Sequence, residues 1–466
     1  MEQNQSMQVM KHRNILCSLG VGLAALAGML LAAACEEPIR LDTVDESRYE
    51  LPADNMVYLV DEVGKRNYSV REFSGTGSTV LTLTSTGSGG AATVAYDAEG
   101  AARYNRETGN NYAAFPAGRV TFSASSVNAG GDVTVSYANG PDVENGVTYI
   151  LPIKVTASSG AVSTQDEYRY LFVKDISGFP SAEKESGIIL FSCMEVNNTN
   201  PLNNMSYTLE SSGKPLFDVV VLFSSNIKYN EETGRVFLHH NENNSAIFNN
   251  CAKYIKPLQE RGIKVLLSVL GGGDRSGLRS LGPEAAKDFA REIKYTCDAY
   301  DLDGVFFDDE YSNYMNPAPP GFVVASKEAA SRLFYETKKL MPEKMVSLFC
   351  YSQMTSLPDY GDMKAGEFVD YILNNYRTGT NYTSGFNGMT VSQQGIYSQE
   401  FALNYYATAA NLATSRSGGF GAHMVFSLDP FNSNYESRQL PALQLLATSF
   451  YDDTLVDDGV RYRKDW

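Results

Sequence analysis

Leu302-Asp-Gly-Val-Phe-Phe-Asp-Asp-Glu-Tyr311 starts as an apolar, aromatic run and finishes in three acids. A buried parallel strand that runs out into a polar mouth has this composition. Alternate residues of a strand point the same way, so Phe306, Asp308 and Glu310 share one face and Val305, Phe307 and Asp309 the other. At about 3.3 Å per residue, positions 308 and 310 lie roughly 6–7 Å apart along the backbone. Like charges this close raise the pKa of one of them, which leaves a proton donor beside an ionised partner. Glycoside hydrolysis uses that division of labour. The competing reading is a solvated acidic loop, and the apolar run ahead of the acids argues against it.

The rest of the second half alternates strand and helix around this stretch. Residues 187–193 and 217–223 read as buried strands, the second running into Ser224-Ser-Asn226. A helix follows from about 245 to 261, stopped by Gly262 in the position glycine usually takes after a helix end. The third strand, 263–270, runs into Gly271-Gly-Gly-Asp274, and Pro283 opens a helix reaching Ala299. The acidic strand is the fourth. A helix over 326–340 leads to strands at 345–351, 368–376 and 390–396, then a helix over 400–414 and a last strand over 419–428. Eight strands, mostly separated by helices, over roughly 270 residues predict an α/β fold, a (β/α)8 TIM barrel over 183–457. A doubly wound sheet would need Gly-x-Gly-x-x-Gly after its first strand, and there is none. Barrel active sites sit at the C-terminal ends of the strands. Here those ends are Cys193-Met-Glu195, Ser224-Ser-Asn226, Gly271-Gly-Gly273, Asp308-Asp-Glu310, Tyr351-Ser-Gln353, Asn374-Asn-Tyr376 and Asp429, a polar ring with one acidic focus.

Residues 56–176 carry a different signal. Val80-Leu-Thr-Leu-Thr84 and Asp132-Val-Thr-Val-Ser-Tyr137 alternate, and 148–156 and 168–173 are further strands punctuated by Asn139-Gly140 and Asn145-Gly146. Short strands with frequent turns predict a small all-β sandwich, a spacer or a weak glycan-binding module. Ile176-Ser-Gly-Phe-Pro-Ser181 breaks the pattern and marks a domain boundary. Ahead of the sandwich, Lys11 and Arg13 precede an apolar run from Ile15 to Ala34 that ends at Cys35. Residues 1–34 resemble a bacterial lipoprotein signal, with Cys35 acylated, Glu36 and Glu37 resembling a surface-export tag, and 35–55 a tether. That resemblance implies a lipid anchor in the outer membrane of a Gram-negative cell, facing outward. An uncleaved helical anchor is the alternative, since a run of about 20 apolar residues can span a bilayer.

Composition narrows the function classes. Across 466 residues the net charge is −16, which argues against nucleic acid, a ligand that rewards a basic face. There is no His-Glu-x-x-His or Cys-x-x-Cys, so neither a metal nor a cofactor is expected. Of the 6 cysteines, Cys193, Cys251, Cys297 and Cys350 are scattered in the second half and read as buried thiols. His423 reads as a structural histidine, and a monomer is expected.

With the strands in place, the sequence resembles a family-18 glycoside hydrolase, specifically the bacterial endo-β-N-acetylglucosaminidases of the H and F type. The carrying residues are 302–311, supported by Lys264-Val-Leu-Leu-Ser-Val-Leu-Gly271 and Phe217-Asp-Val-Val-Val-Leu-Phe-Ser-Ser-Asn226. The resemblance covers residues 186 to the end, and the sandwich resembles the modules of surface-anchored glycosidases. It implies cleavage between the two core GlcNAc residues of N-linked glycans, high-mannose ones by preference. Glu310 would be the general acid. Asp308 would orient the substrate's 2-acetamido group, which attacks to form an oxazolinium intermediate, and Tyr376 would meet the acetamido oxygen. Asn374, Asn226, Gly271, Gly272, Tyr311 and Gln353 would line the sugar site, and Asp274 and Arg275 are further candidates for the glycan groove. Two features depart from the chitinases of the family. They carry a carboxylate where this chain has Phe306, an apolar neighbour that discourages ionisation of Asp308. They also place a Trp on strand eight, where this chain has Phe426, Ser427 and Leu428. A chitinase and a non-catalytic glycan-binding barrel are the competing readings.

Overall fold

The computed structural model describes residues 55–61, 70–87, 89–178 and 180–466. The leader and Cys35 lie outside them.

Two sheets form the N-terminal region. One orders Val57–Asp61, Thr76–Ser85, Asp132–Ala138 and Val120–Phe122, and the other orders Val70–Phe73, Tyr168–Asp175, Thr148–Ser159, Ala91–Tyr96 and Ser126–Asn128. Period-2 alternation sends Leu81, Leu83, Val133 and Val135 from one sheet, and Val94, Ile153, Val155 and Val173 from the other, into a single core. The all-β expectation needs one correction. Glu99–Thr108 is a helix closed by Gly109 in the left-handed region, and it lays Ala101 and Tyr104 against Ile150, Tyr170 and Phe172.

The second region is the barrel. Ile189–Glu195, Val219–Asn230, Lys264–Gly271, Gly304–Asp308, Met345–Cys350 and Tyr371–Asn374 run side by side in parallel, and Ala422–Phe426 pairs with the first. The seventh position is split. Gln394–Gly395 pairs with the sixth strand and Ser398–Glu400 with the eighth, both parallel, so the ring closes through a broken strand. Strand four alternates as its sequence requires. Phe306 lies in the barrel interior with Phe191, Leu266, Phe349 and Leu373, while Val305 and Phe307 join the layer between barrel and helices.

Helices Pro283–Ala299 and Lys327–Leu340 fall where the sequence puts them, the second capped by Ser326, whose Oγ accepts the Ala329 N–H at 3.1 Å. Elsewhere the expected elements shift. The second strand runs on to Asn230 and folds back as Arg235–His239. The following helix is broken into Glu242–Asn249, Cys251–Tyr254 and Lys256–Gln259. Phe368, expected at the start of strand six, ends a short helix, Ala365–Phe368. The strand expected over 390–396 is mostly a 3-10 turn, Val391–Gln393. The helix expected from 400 begins only at Ala409, because Glu400 is a strand residue whose N–H and C=O both bond the backbone of Tyr405, at 2.9 and 2.8 Å.

At the N-terminal end, or floor, a brace repeats. Asp218, Asp303 and Asp370 each sit one residue ahead of an even-numbered strand and accept the N–H of Leu190, Val265 and Val346 on the preceding strand, at 2.8, 2.8 and 2.7 Å. Lys184 bonds Asp218 at 2.7 Å and Lys338 bonds Asp370 at 2.8 Å, while Gln259 serves Asp303 at 2.9 Å. The sandwich docks on this floor through Glu72, 3.0 Å from Lys264 at the start of strand three. The opposite end carries the C-terminal strand ends, away from this contact.

Candidate active site

The mouth sorts the three acids by face. Asp309 points outward and is compensated: Arg279 Nε donates to it at 2.5 Å, and the Tyr314 hydroxyl donates to its other oxygen. Asp308 ends the strand on the inner face and is 3% exposed, above Phe306 at 2%. Glu310, two residues on, is half-buried, and its carboxyl adjoins that of Asp308. Burial, reinforced by the Glu310 and Asp309 charges, lifts the Asp308 carboxyl well above the ordinary carboxylate range. Burial also raises Glu310, with Asp309 adding to it. Adjacent carboxyls with raised pKa values share a proton, as close carboxylate pairs do. Asp308 Oδ1 is left without a hydrogen-bond partner.

Glycines hold this pair in place. A Cβ on Gly271 would stand 2.0 Å from the Glu310 carbonyl oxygen, and one on Gly272 would stand 2.6 Å from that of Ile227. The loops after strands three and four are laced together by Gly273 N–H to Tyr311 O at 2.8 Å and Asn313 N–H to Asp274 O at 2.8 Å. The chain then turns at Tyr311 with φ +56°, and Ser352, Arg377 and Ser427 make similar left-handed turns after strands five, six and eight. Non-glycine residues held there cost of order 1–3 kcal/mol each and collect at functional sites.

Tyr376 crosses the mouth from strand six. Its ring packs on Phe349 at 5.6 Å and on Phe426 at 6.4 Å, and burial with four nearby acidic groups, Glu400, Cys193, Asp308 and Glu310, pushes its hydroxyl pKa up. Phe426 itself meets Phe223 edge-on at 4.8 Å, so phenylalanines occupy the part of the mouth where a Trp is absent.

The expected sugar-site residues divide. Tyr311 (70% exposed) and Gln353 are open to solvent at the rim. Asn226 spends its amide N–H on the Gly271 carbonyl at 3.1 Å. Asn374 needs correcting as a sugar contact. It is fully buried, its amide donates to Thr380 O and Ile396 O at 2.8 and 3.2 Å, and its oxygen accepts from Gln394 at 2.8 Å, so it straps strand six to strand seven. Asp274 is likewise a turn residue, accepting the N–H groups of Tyr229 and Ser276, and Arg275 pairs with Glu231 at 3.2 Å. His423 is buried against Phe450 and bonded to Gln399 at 3.0 Å. Glu400 is the mouth residue that sequence reasoning missed. It ends the split seventh strand, is 4% exposed, and burial raises its pKa.

A nearly closed parallel barrel with an inward carboxyl pair at the end of strand four is the arrangement expected of a glycoside hydrolase. Comparison with known proteins narrows the class. The chain is 50% identical over 283 residues to endo-beta-N-acetylglucosaminidase F1 of Elizabethkingia meningoseptica, covering 60% of this chain and 84% of that one. It is 30% identical over 270 residues to endo-beta-N-acetylglucosaminidase of Flavobacterium sp. (strain SK1022), 57% of this chain and 84% of that one. The crystal structure of Bacteroides thetaiotamicron EndoBT-3987 with Man5GlcNAc product is similar with a TM-score of 0.79 at 32% identity, over 88% of this chain and 97% of that one. EndoBT-3987 in complex with Man9GlcNAc2Asn substrate gives 0.77 at the same identity and coverage. Residues 53–162 also match a family model described as an N-terminal domain. The chain belongs to the endo-β-N-acetylglucosaminidases.

Proposed function

We propose that the chain hydrolyses the β-1,4 bond between the two core GlcNAc residues of high-mannose N-glycans with retention, using the substrate's own 2-acetamido group as nucleophile. One observation carries the mechanism: Asp308 and Glu310 stand side by side at the end of one strand, close enough for each to shift the other's pKa. Enzymes that attack with a second carboxylate or a water hold their acids about 5–5.5 Å or 6.5–9.5 Å apart, on opposite faces of the sugar. Two acids side by side on one strand face do not flank the ring, so the nucleophile has to come from elsewhere, and the adjacent amide oxygen has the effective molarity of an intramolecular group.

Glu310 gives its proton to the leaving oxygen as the amide oxygen attacks C1 and the glycosidic bond breaks. Asp308 accepts the amide N–H and balances the oxazolinium charge. Tyr376 meets the acetamido oxygen. Glu310, now ionised, takes a proton from water, whose oxygen attacks C1 and reopens the ring to the acetamide. Two inversions at C1 give retention. The binding of Man5GlcNAc and Man9GlcNAc2Asn by EndoBT-3987 favours high-mannose glycans here. Intact-mass measurement on a high-mannose glycoprotein tests the reading. Loss of the glycan with one GlcNAc left behind is expected, and an unchanged mass between about pH 4 and 8 contradicts it.

The leader supports a second part of the reading: a monomer anchored by acyl chains on Cys35 in the outer membrane, facing the cell surface. Among the described residues no helix is long and apolar enough to cross a membrane. The sandwich is a spacer, docked at the end of the barrel away from the mouth. Incorporation of labelled palmitate in the expressing cell, lost in Cys35→Ala, is the expected result. Equal labelling of the variant contradicts it.

A further inference from the structure

Strand one ends on an acid that the mechanism above does not use. Phe191 and Cys193 face the barrel interior, so alternation turns Glu195 to the same inner face, level with Phe223, its partner on strand two. Phe223 in turn meets Phe426, so Glu195 stands beside the phenylalanine lining of the mouth. Its main chain is pinned, because the Glu195 carbonyl accepts the N–H groups of Asn198 and Thr199 at 2.9 and 3.0 Å. Its side chain is pinned at one oxygen, where Asn197 Nδ2 donates to Oε1 at 2.5 Å. That amide is itself held. Asn197 Oδ1 accepts from Asn241 Nδ2 at 3.1 Å and from Asn243 Nδ2 at 2.8 Å, and the Asn197 carbonyl accepts from Lys464 Nζ at 3.1 Å. With its oxygen taken by two donors, Asn197 can turn only its NH₂ to the acid. Asn241 is fixed in its own right as the cap of helix Glu242–Asn249, its Oδ1 accepting the N–H groups of Asn243 and Asn244, both at 3.0 Å.

The second oxygen is left over. Among the described residues Oε2 takes no hydrogen bond, and no lysine or arginine pairs with the carboxyl. A glutamate that served only as a solvated rim charge would have no need of amides that fix its rotamer. A carboxylate accepts and never donates, a sugar hydroxyl can donate, and a hydrogen bond to an ionised acceptor is about twice as strong as a neutral one. Such a contact is worth most when supporting groups hold the acceptor in place beforehand. We propose that Glu195 is a substrate-binding residue: Oε2 accepts a hydroxyl of the bound glycan, while the Asn197, Asn241 and Asn243 amides hold the carboxyl ready for it. Strand one stands three places from strand four in the ring, roughly 14 Å along the wall at about 4.8 Å per strand. That separation sets Glu195 against a sugar next to the GlcNAc at Asp308 and away from the acetamido group. Glu195 therefore binds and transfers no proton. The inference rests on the reading above, in which an N-glycan lies across this mouth.

The test reads binding and turnover separately on the full chain, with thermal unfolding to check each variant. Binding of Man9GlcNAc2Asn is measured by calorimetry in the Glu310→Gln background, where the missing proton donor keeps the glycan intact during the titration. Adding Glu195→Ala is expected to weaken Kd about 10–100-fold, the worth of one hydrogen bond to a charged group. Glu195→Gln keeps the shape without the charge and should weaken it about 10-fold. Asn197→Ala leaves the acid but frees its rotamer, and about 3–10-fold is expected. With Glu310 restored, Glu195→Ala and Glu195→Gln should raise KM on a high-mannose glycopeptide while kcat stays within about 3-fold of the parent. A Kd within about 2-fold of the reference in a folded Glu195→Ala chain overturns the binding role, and so does a fall in kcat at constant KM. Should Glu195→Ala fail to fold, an unchanged Kd in Glu195→Gln and Asn197→Ala overturns it in the same way. A parent that leaves a high-mannose glycoprotein intact overturns the proposed hydrolysis instead, and Glu195 is then judged on Kd alone.

Discussion

The two ends of the barrel treat buried acids in opposite ways. On the floor, Asp218, Asp303 and Asp370 each brace a neighbouring strand, and Asp218 and Asp370 each have a lysine. At the mouth, Asp308, Glu310 and Glu400 have raised pKa values and none is ion-paired among the described residues. Asp309, beside them in sequence, is the exception that faces outward to Arg279. Left-handed turns outside glycine also gather after the strand ends at the mouth. One end is built for holding and the other keeps its charges uncompensated, where a proton can be given and taken back. Natural active sites commonly give up stability in this way.

Substitutions at the two ends should therefore separate activity from stability. The largest effect expected is on turnover: Glu310→Gln removes the proton donor and should lower kcat by roughly 10²–10⁴ with the melting temperature unchanged or higher. Next comes Asp218→Asn on the floor. Burial holds this acid up at about 6 even against Lys184, and its loss strands the lysine in a buried site. Breaking such a pair costs about 3–5 kcal/mol, readable in urea unfolding, with kcat per folded molecule unchanged. Gly271→Ala follows. The added methyl must displace the Glu310 backbone, and kcat should fall by about 10² while the fold survives.

The smallest effect is the most discriminating. Asp308→Asn makes the same chemical change as Asp218→Asn but at the mouth, and it should stabilise the chain at pH 7 by on the order of 1 kcal/mol. The sign follows from linkage. A carboxyl whose folded pKa is raised favours the folded state fully below its unfolded pKa, near 4, and loses that contribution as pH rises through the raised value. Parental stability should thus fall as pH rises above about 4, and less steeply in Asp308→Asn. Destabilisation by Asp308→Asn at pH 7 would erase the contrast between the ends.

Much of this was readable from the chain, for identifiable reasons. Strand four and the helices at Pro283–Ala299 and Lys327–Leu340 carry strong local signals: an apolar run into acids, and two amphipathic helices, one opened by a proline and one capped by Ser326. The split seventh strand was not readable, because pairings of two and three residues are too short to leave a period in the sequence. Glu400 was missed for the same reason: Ser398-Gln-Glu400 reads as a solvated helix start until both neighbouring strands are in place. Asn374 and Gly271 stand at the mouth as expected, but their neighbours in space decide their roles, strapping for one and close approach for the other. The floor braces are single aspartates ahead of strands, recognisable only once registers are known.

The use of the sugar's own amide is tested most directly by the substrate. Two otherwise identical high-mannose glycopeptides would be compared, one with GlcNAc and one with glucose on the non-reducing side of the bond to be cleaved. Cleavage of the first, and a rate lower by about 10⁵ or more for the second, is the result expected when the nucleophile is intramolecular. Comparable rates for the two would contradict it and would require a carboxylate or water to attack the sugar directly.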